Sequence, residues 1–370
     1  RGLRSLSSAG SLSPGPLGLL SDALISLEYV ETSNEVIWHF SLLFLAFAST
    51  AGWFGYELVP LLVKGSLSIP LQLSYGWLLG SCLFGIFLQI ASFIIPQNWV
   101  LSIATMLFGS LAAFFLHKKH RKKRMTWDFD LSLVLCLGIV AGVSLKYLTA
   151  IYRNTPSVMP SAMASIADDE ISFINSVMFG CNRRRSNLFF YKNPRLMGEK
   201  YPGHPCPLLF AAGLIQLGAD YAKASIVICF LNTLATVISV HSLFKKLTQW
   251  TTLATLFTLF EGGWAFLLLF ETDSRVDPRN DLVHSYTNDH QSIWYHLTGS
   301  LLSISKVTSL SVAMGMSALS CTSSLLSFVL IALNPIPLTG ICVLLTVFGF
   351  TQKVSYMVGT LICLFLRLFP

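Results

Sequence analysis

Apolar residues in this chain come in long unbroken blocks separated by short charged stretches. Blocks near 36–62, 68–95, 99–116, 129–149, 224–244 and 250–270 are close to the roughly 20 residues that carry a helix across a bilayer. The C-terminal part is less regular: 299–333 is serine-rich with Lys306 as its charge, and 336–351 and 354–369 are short. The pattern predicts an all-α fold, a polytopic transmembrane helix bundle of about eight to ten spans. Two connectors, 150–206 and 271–296, interrupt it and hold much of the charge. The chain then reads as three regions: 1–35, a Ser-, Gly- and Pro-rich disordered or targeting-like tail; 36–128, N-terminal transmembrane helices ending in a basic loop; and 129–370, a transmembrane core with both connectors.

Composition agrees with the blocks. Hydrophobic residues make up 53% of the chain and charged ones 12%, with a mean hydropathy of +0.64, whereas soluble domains carry about 25% charge. Much of the net charge of +7 sits in one run, HKKHRKKR at 117–124. In a membrane protein such a run marks the cytosolic side, and with no soluble domain to carry it nucleic-acid binding is not expected. Lys245-Lys246 should share that side, which puts both connectors on the luminal or outer face. The chain is then an integral protein of the endoplasmic reticulum or another endomembrane in a eukaryote, of the plasma membrane otherwise.

The first connector contains SIADDEISFINSVMFGCNRRRSN. Apolar residues at 166, 173, 174, 177 and 178 have helical spacing, and Gly180 reads as a stop. Two roles stay open for Asp168, Asp169 and Glu170. They can cap the helix and favour its positive end, or one of them can act as a general base or metal ligand at the membrane surface. A divalent metal at this triplet is an open cofactor question. The cations after it, Arg183, Arg184, Arg185, Lys192 and Arg195, form a solvated or lipid-facing cluster or a phosphate clamp, since guanidinium forks pair with phosphate oxygens. Cys181 and Cys206 could form a disulfide in an oxidising lumen. After Pro202, His204 and Pro205 comes a short apolar segment ahead of Asp220, expected as an interfacial or re-entrant helix. His204 reads as structural or as a phosphate contact.

In the second connector, Asp277-Pro278 is a helix start, and Asp281 and His284 would share a face. Asp281, His284, Trp294 and His296 either line the entrance to a site, bonding sugar hydroxyls or phosphate with Trp294 stacking, or form an ordinary polar loop. His284, His290 and His296 recur every six residues, which does not gather them on a helix, so zinc gains no support.

An acidic pair or triplet in a large outside loop, then Tyr201-Pro202 and an apolar helix, resembles the GT-C superfamily. Those are multi-spanning glycosyltransferases that use lipid-phosphate-linked sugars. The resemblance covers about 165–225, with a second part at 277–306 where Ser305-Lys306 stands in place of a Gln–Arg pair and Lys306 keeps the charge. About four apolar blocks precede the acidic loop here where the family has one, so residues 1–128 fall outside it. The resemblance implies transfer of a sugar from a polyprenyl-phosphate donor to an acceptor at the outer face, with membrane lipid as a partner. One of Asp168, Asp169 or Glu170 would deprotonate the acceptor or hold a metal. Arg183–Arg185, Lys192, Arg195 or His204 would stabilise the departing phosphate. The alternative is a transporter or scaffold without chemistry, which would place polar groups inside the spans.

Overall fold

The computed structural model describes residues 34–63, 67–120, 130–152, 161–183, 190–196, 199–201, 205–260, 306–321 and 323–335, with side chains at 34–41, 120, 146–152, 161–169 and 222 excepted. The N-terminal tail, all of 261–305 with the loop 271–296 inside it, and the blocks at 336–351 and 354–369 lie outside the described residues. The chain divides into residues 1–39 and 40–370. The first unit's described part is the opening of the first helix, and all other described residues belong to the second unit.

Ten helices are described: α1 Asn34–Leu62, α2 Ile69–Ala91, α3 Trp99–His120, α4 Leu131–Tyr152, α5 Ser161–Met178, α6 Cys206–Gln216, α7 Tyr221–Leu247, α8 Thr251–Phe260, α9 Lys306–Ser320 and α10 Ser324–Ala332. No strand occurs among the described residues. The fold is all-α, as the block pattern predicts. Among the described residues, four segments, Leu42–Leu62, Ile69–Ala91, Trp99–Lys119 and Lys223–Leu247, are long and apolar enough to cross a membrane.

Helix α2 lies at the centre because its sequence lets neighbours come close. Gly76 and Gly80 stand one turn apart and face Ala51 and Gly55 of α1, so that a Cβ at Gly55, Gly76 or Gly80 would strike backbone of the other helix. This is the small-xxx-small packing that brings membrane helices to backbone contact. Gly85 repeats the device against the backbone of Cys206, at the start of α6. Phe47 of α1 then packs between Phe84 and Phe210, with ring centroids 5.3 and 5.4 Å away.

Hydrogen bonds fix how the central helices run. Ser74 of α2 bonds Ser239 of α7 at 3.0 Å, while Trp77 Nε1 donates to Asn232 at 2.8 Å, so α2 and α7 are antiparallel. Asn232 donates to Ser309 at 3.1 Å and Ser239 meets Ser317 at 2.9 Å, so α7 and α9 are parallel. Tyr75 reaches Ser320 at 3.1 Å. These residues form a buried polar seam between three helices. Each hydroxyl or amide finds a partner, which is what an apolar surrounding demands.

The ends of the bundle differ. At one end Lys245 pairs with Asp130 at 2.9 Å, and Asp130 caps α4 by accepting the Leu133 N–H at 2.7 Å. Burial alone would raise the Asp130 pKa, but Lys245, the Leu133 N–H and His241 together hold it below the usual carboxylate value. Ser132 links His241 (2.8 Å) to Thr252 (2.6 Å), tying α4, α7 and α8. At the other end lie the starts of α7 and α9.

Of the two expectations for this segment, interfacial or re-entrant, α6 departs from the first. Nine successive residues from Cys206 to Leu214 are all buried, so it has no face for water or headgroups over that stretch. Pro207 in its first turn suits a helix start. After Gln216, Gly218 takes φ 97°, a conformation that glycine adopts without strain. Asp220 then caps α7 through the Lys223 N–H at 2.6 Å. The Cys181–Cys206 disulfide is not made: both are free thiols, Cys181 exposed and Cys206 buried.

A matched pair of substitutions tests the central contact. Gly80→Ala should destabilise by about 1–3 kcal/mol by overpacking. Gly138→Ala, where a Cβ meets nothing within 4 Å, should be neutral or stabilising by about 0.5 kcal/mol. Thermal unfolding in one detergent compares them; equal effects would contradict the packing described.

Candidate functional site

Helix α5 carries the acidic triplet, but not as a cap. It begins at Ser161, about two turns before Asp168, so the acids are interior to the helix and the N-capping expectation is corrected. Phe173, Ile174 and Val177 are buried, which seats the helix on the core. Glu170 is drawn in with them at 4% exposure. The side chains of Asp168 and Asp169 lie outside the described residues.

Glu170 meets Lys306, the first residue of α9. Lys306 Nζ donates to Glu170 Oε2 at 3.1 Å, and the Lys306 backbone N–H approaches the same oxygen at 3.3 Å. The ammonium also donates to the Tyr221 hydroxyl at 2.6 Å and lies 3.9 Å from that ring's centroid. Lys306 is 0% exposed. Burial first, and the Glu170 charge next, push the Tyr221 pKa up, so the phenol stays protonated. Glu170 Oε1 is buried with no hydrogen-bond partner. One carboxylate thus ties α5 to the starts of both α7 and α9.

Past Gly180 the chain folds back as a short hairpin. Gly180 and Asn182 both donate their N–H to Ser176 O, at 3.1 and 2.9 Å, which ends α5. Lys192 and Lys200 form an antiparallel bridge, and the Tyr201 N–H donates to Tyr191 O at 2.8 Å. Asn182, buried at 2% exposure, fastens this hairpin to the helix. Its amide donates to Ser176 Oγ and to Lys192 O, each at 2.8 Å, and its oxygen accepts the Lys192 N–H at 2.8 Å. Phe173 packs against Tyr191 and Tyr201, with centroids 5.1 and 4.2 Å away.

The hairpin presents charge outward. Lys192, Arg195 and Lys200 are exposed, Lys200 lies 4.0 Å over the Phe190 ring, and Arg183 is half-buried at the turn. Of the residues singled out from the sequence, Glu170 and Lys306 are brought into contact, and Lys192 is held beside Asn182, next to Arg183 in the chain, with Arg195 further along the hairpin. Arg184, Arg185, His204, Asp281, His284, Trp294 and His296 lie outside the described residues. Sequence reasoning missed Tyr221, Asn182 and the Tyr191–Phe173–Tyr201 stack. Only Asp220, a cap residue just before an apolar run, pointed toward Tyr221. No group of three His, Cys, Asp or Glu able to hold a metal occurs among the described residues.

Comparison of the chain with protein-family models, with curated proteins and with solved structures finds no match. Fold and site therefore stand on their own geometry: a membrane-type helix bundle with a cationic hairpin fastened to an acidic helix.

Asn182→Ala should release the hairpin. Losing a buried amide's bonds is worth about 1–3 kcal/mol, so exchange of the Lys192 and Tyr201 amides should rise roughly 10- to 100-fold. Hydrogen exchange by mass spectrometry reads this; unchanged protection would mean that Asn182 does not hold the hairpin.

Proposed function

We propose that this chain is a membrane glycosyltransferase of the GT-C kind, moving a sugar from a polyprenyl-phosphate-linked donor to an acceptor at the luminal or outer face. The observation that supports it is the exposed cationic hairpin fastened to the end of the helix that bears three successive carboxylates. A phosphate leaving group needs fixed positive charge, and Lys192, Arg195 and Lys200 supply it. An acceptor hydroxyl needs a carboxylate base, for which Asp168 or Asp169 serves. Glu170, engaged with Lys306, positions the helix and is a positioning residue in this scheme. Arg183 stands close enough in sequence to extend the phosphate contact. Arg184, Arg185, His204 and the 271–296 group Asp281, His284, Trp294 and His296 complete the proposed donor site, and the proposal takes about eight to ten spans in all. The endoplasmic reticulum is the compartment it fits in a eukaryote.

The buried polar seam through Ser74, Trp77, Asn232, Ser239, Ser309 and Ser317 favours a second reading, a transporter with polar groups inside its spans. Its members bond one another rather than facing an open path, so we rank it second.

The test supplies purified protein in liposomes with polyprenyl-phosphate mannose or glucose and a membrane extract as acceptor. Sugar transfer is expected. Asp168→Asn with Asp169→Asn should lower it about 100-fold or more, and Lys192→Ala with Arg195→Ala should raise the donor KM. No transfer from either donor, together with equal binding of polyprenyl phosphate and uncharged polyprenol, would contradict the proposal.

A further inference from the structure

Among the described residues, helix α3 is the least buried of the four membrane-length segments, with 28% of its apolar stretch inside the protein against 67% for α2. Leu107, Phe108, Leu111 and Phe115 are all more than half exposed, and their spacing of one, three and four residues puts them on one stripe. Toward the C-terminal end of that stripe stand Lys118 and Lys119, both exposed. Lys118 lies back over Phe114, 5.3 Å from the ring centroid. In sequence the cations continue: the run 117–124 holds six lysines and arginines and no acid.

The end of α3 is held firmly. His117 Nδ1 lies 2.9 Å from Glu57 Oε1 on α1, and Glu57 is almost fully buried. Glu57 is thus already engaged by His117 rather than by the lysines that follow it. A long apolar stripe that ends in fixed cations matches a molecule with long chains and an anionic head. A soluble anionic partner would use the lysines and leave the aromatic stripe uncovered.

We propose that the exposed face of α3 binds an anionic phospholipid, with its acyl chains along Leu107, Phe108, Leu111 and Phe115 and the net negative charge of its headgroup at Lys118 and Lys119. This site lies at the end of the bundle opposite the acidic helix and does not depend on the transferase reading. Each lysine near a headgroup contributes a factor of about five in affinity.

Delipidated full-length protein in detergent is titrated with phosphatidylserine and, separately, phosphatidylcholine of the same chains, and bound lipid is counted by native mass spectrometry. Phosphatidylserine should bind about 30-fold more tightly, the difference should shrink as salt rises, and Lys118→Ala with Lys119→Ala should remove it while phosphatidylcholine binding stays as it was. Equal affinity for the two lipids in the natural chain would overturn the proposal without reference to any variant. So would a double variant that still prefers phosphatidylserine, or glycerophosphoserine binding as tightly as the intact lipid.

Discussion

A lysine and a glutamate, both sealed from water, hold this bundle together at one end. Taking two charges into an apolar interior costs several kcal/mol per ion, offset only if they meet each other with good geometry and further hydrogen bonds. Lys306 meets that condition through Glu170 Oε2 and the Tyr221 hydroxyl. Glu170 meets it in part, because its second oxygen has no partner. Three elements far apart in sequence, α5, α7 and α9, therefore meet at one point: α5 and α9 cannot separate without leaving a charge unpaired, and withdrawal of α7 would take the Tyr221 hydroxyl from Lys306.

The rest of the described bundle obeys the same rule in milder form. Ser74, Trp77, Asn232, Ser239, Ser309 and Ser317 would each be unfavourable if unpaired among apolar side chains, so they pair across α2, α7 and α9 and set the register of those helices. Glycines at 55, 76 and 80 add the complementary element, backbone contact without side-chain volume. Polar satisfaction and close packing thus act together around α2. On that frame α5 is seated with Glu170 buried, and Asn182 fixes the cationic hairpin beyond the helix's C-terminal end.

Much of this was legible in the sequence and some was not, for physical reasons. Apolar blocks near 36–62, 68–95, 99–116, 129–149 and 224–244 correspond to α1, α2, α3, α4 and α7, because block length and hydropathy are properties of the segment itself. Gly180 as a stop was readable because turns are local. The acidic triplet misled as a cap: the helix starts earlier, at Ser161, in a stretch without strong periodicity. Burial of α6 was invisible because an 11-residue apolar segment reads the same at an interface or in a core. The Glu170–Lys306 contact joins residues 136 positions apart, and no local pattern encodes such a pairing.

The dependence of the fold on this pair is tested most directly by a double-mutant cycle for stability in a single detergent. Glu170→Leu and Lys306→Met are measured alone and combined. Each single change should cost about 3–5 kcal/mol, because it strands the other charge, and the combination should cost far less than their sum. Single effects below about 1 kcal/mol, or a double variant equal to the sum, would contradict the view that this buried pair anchors the acidic helix.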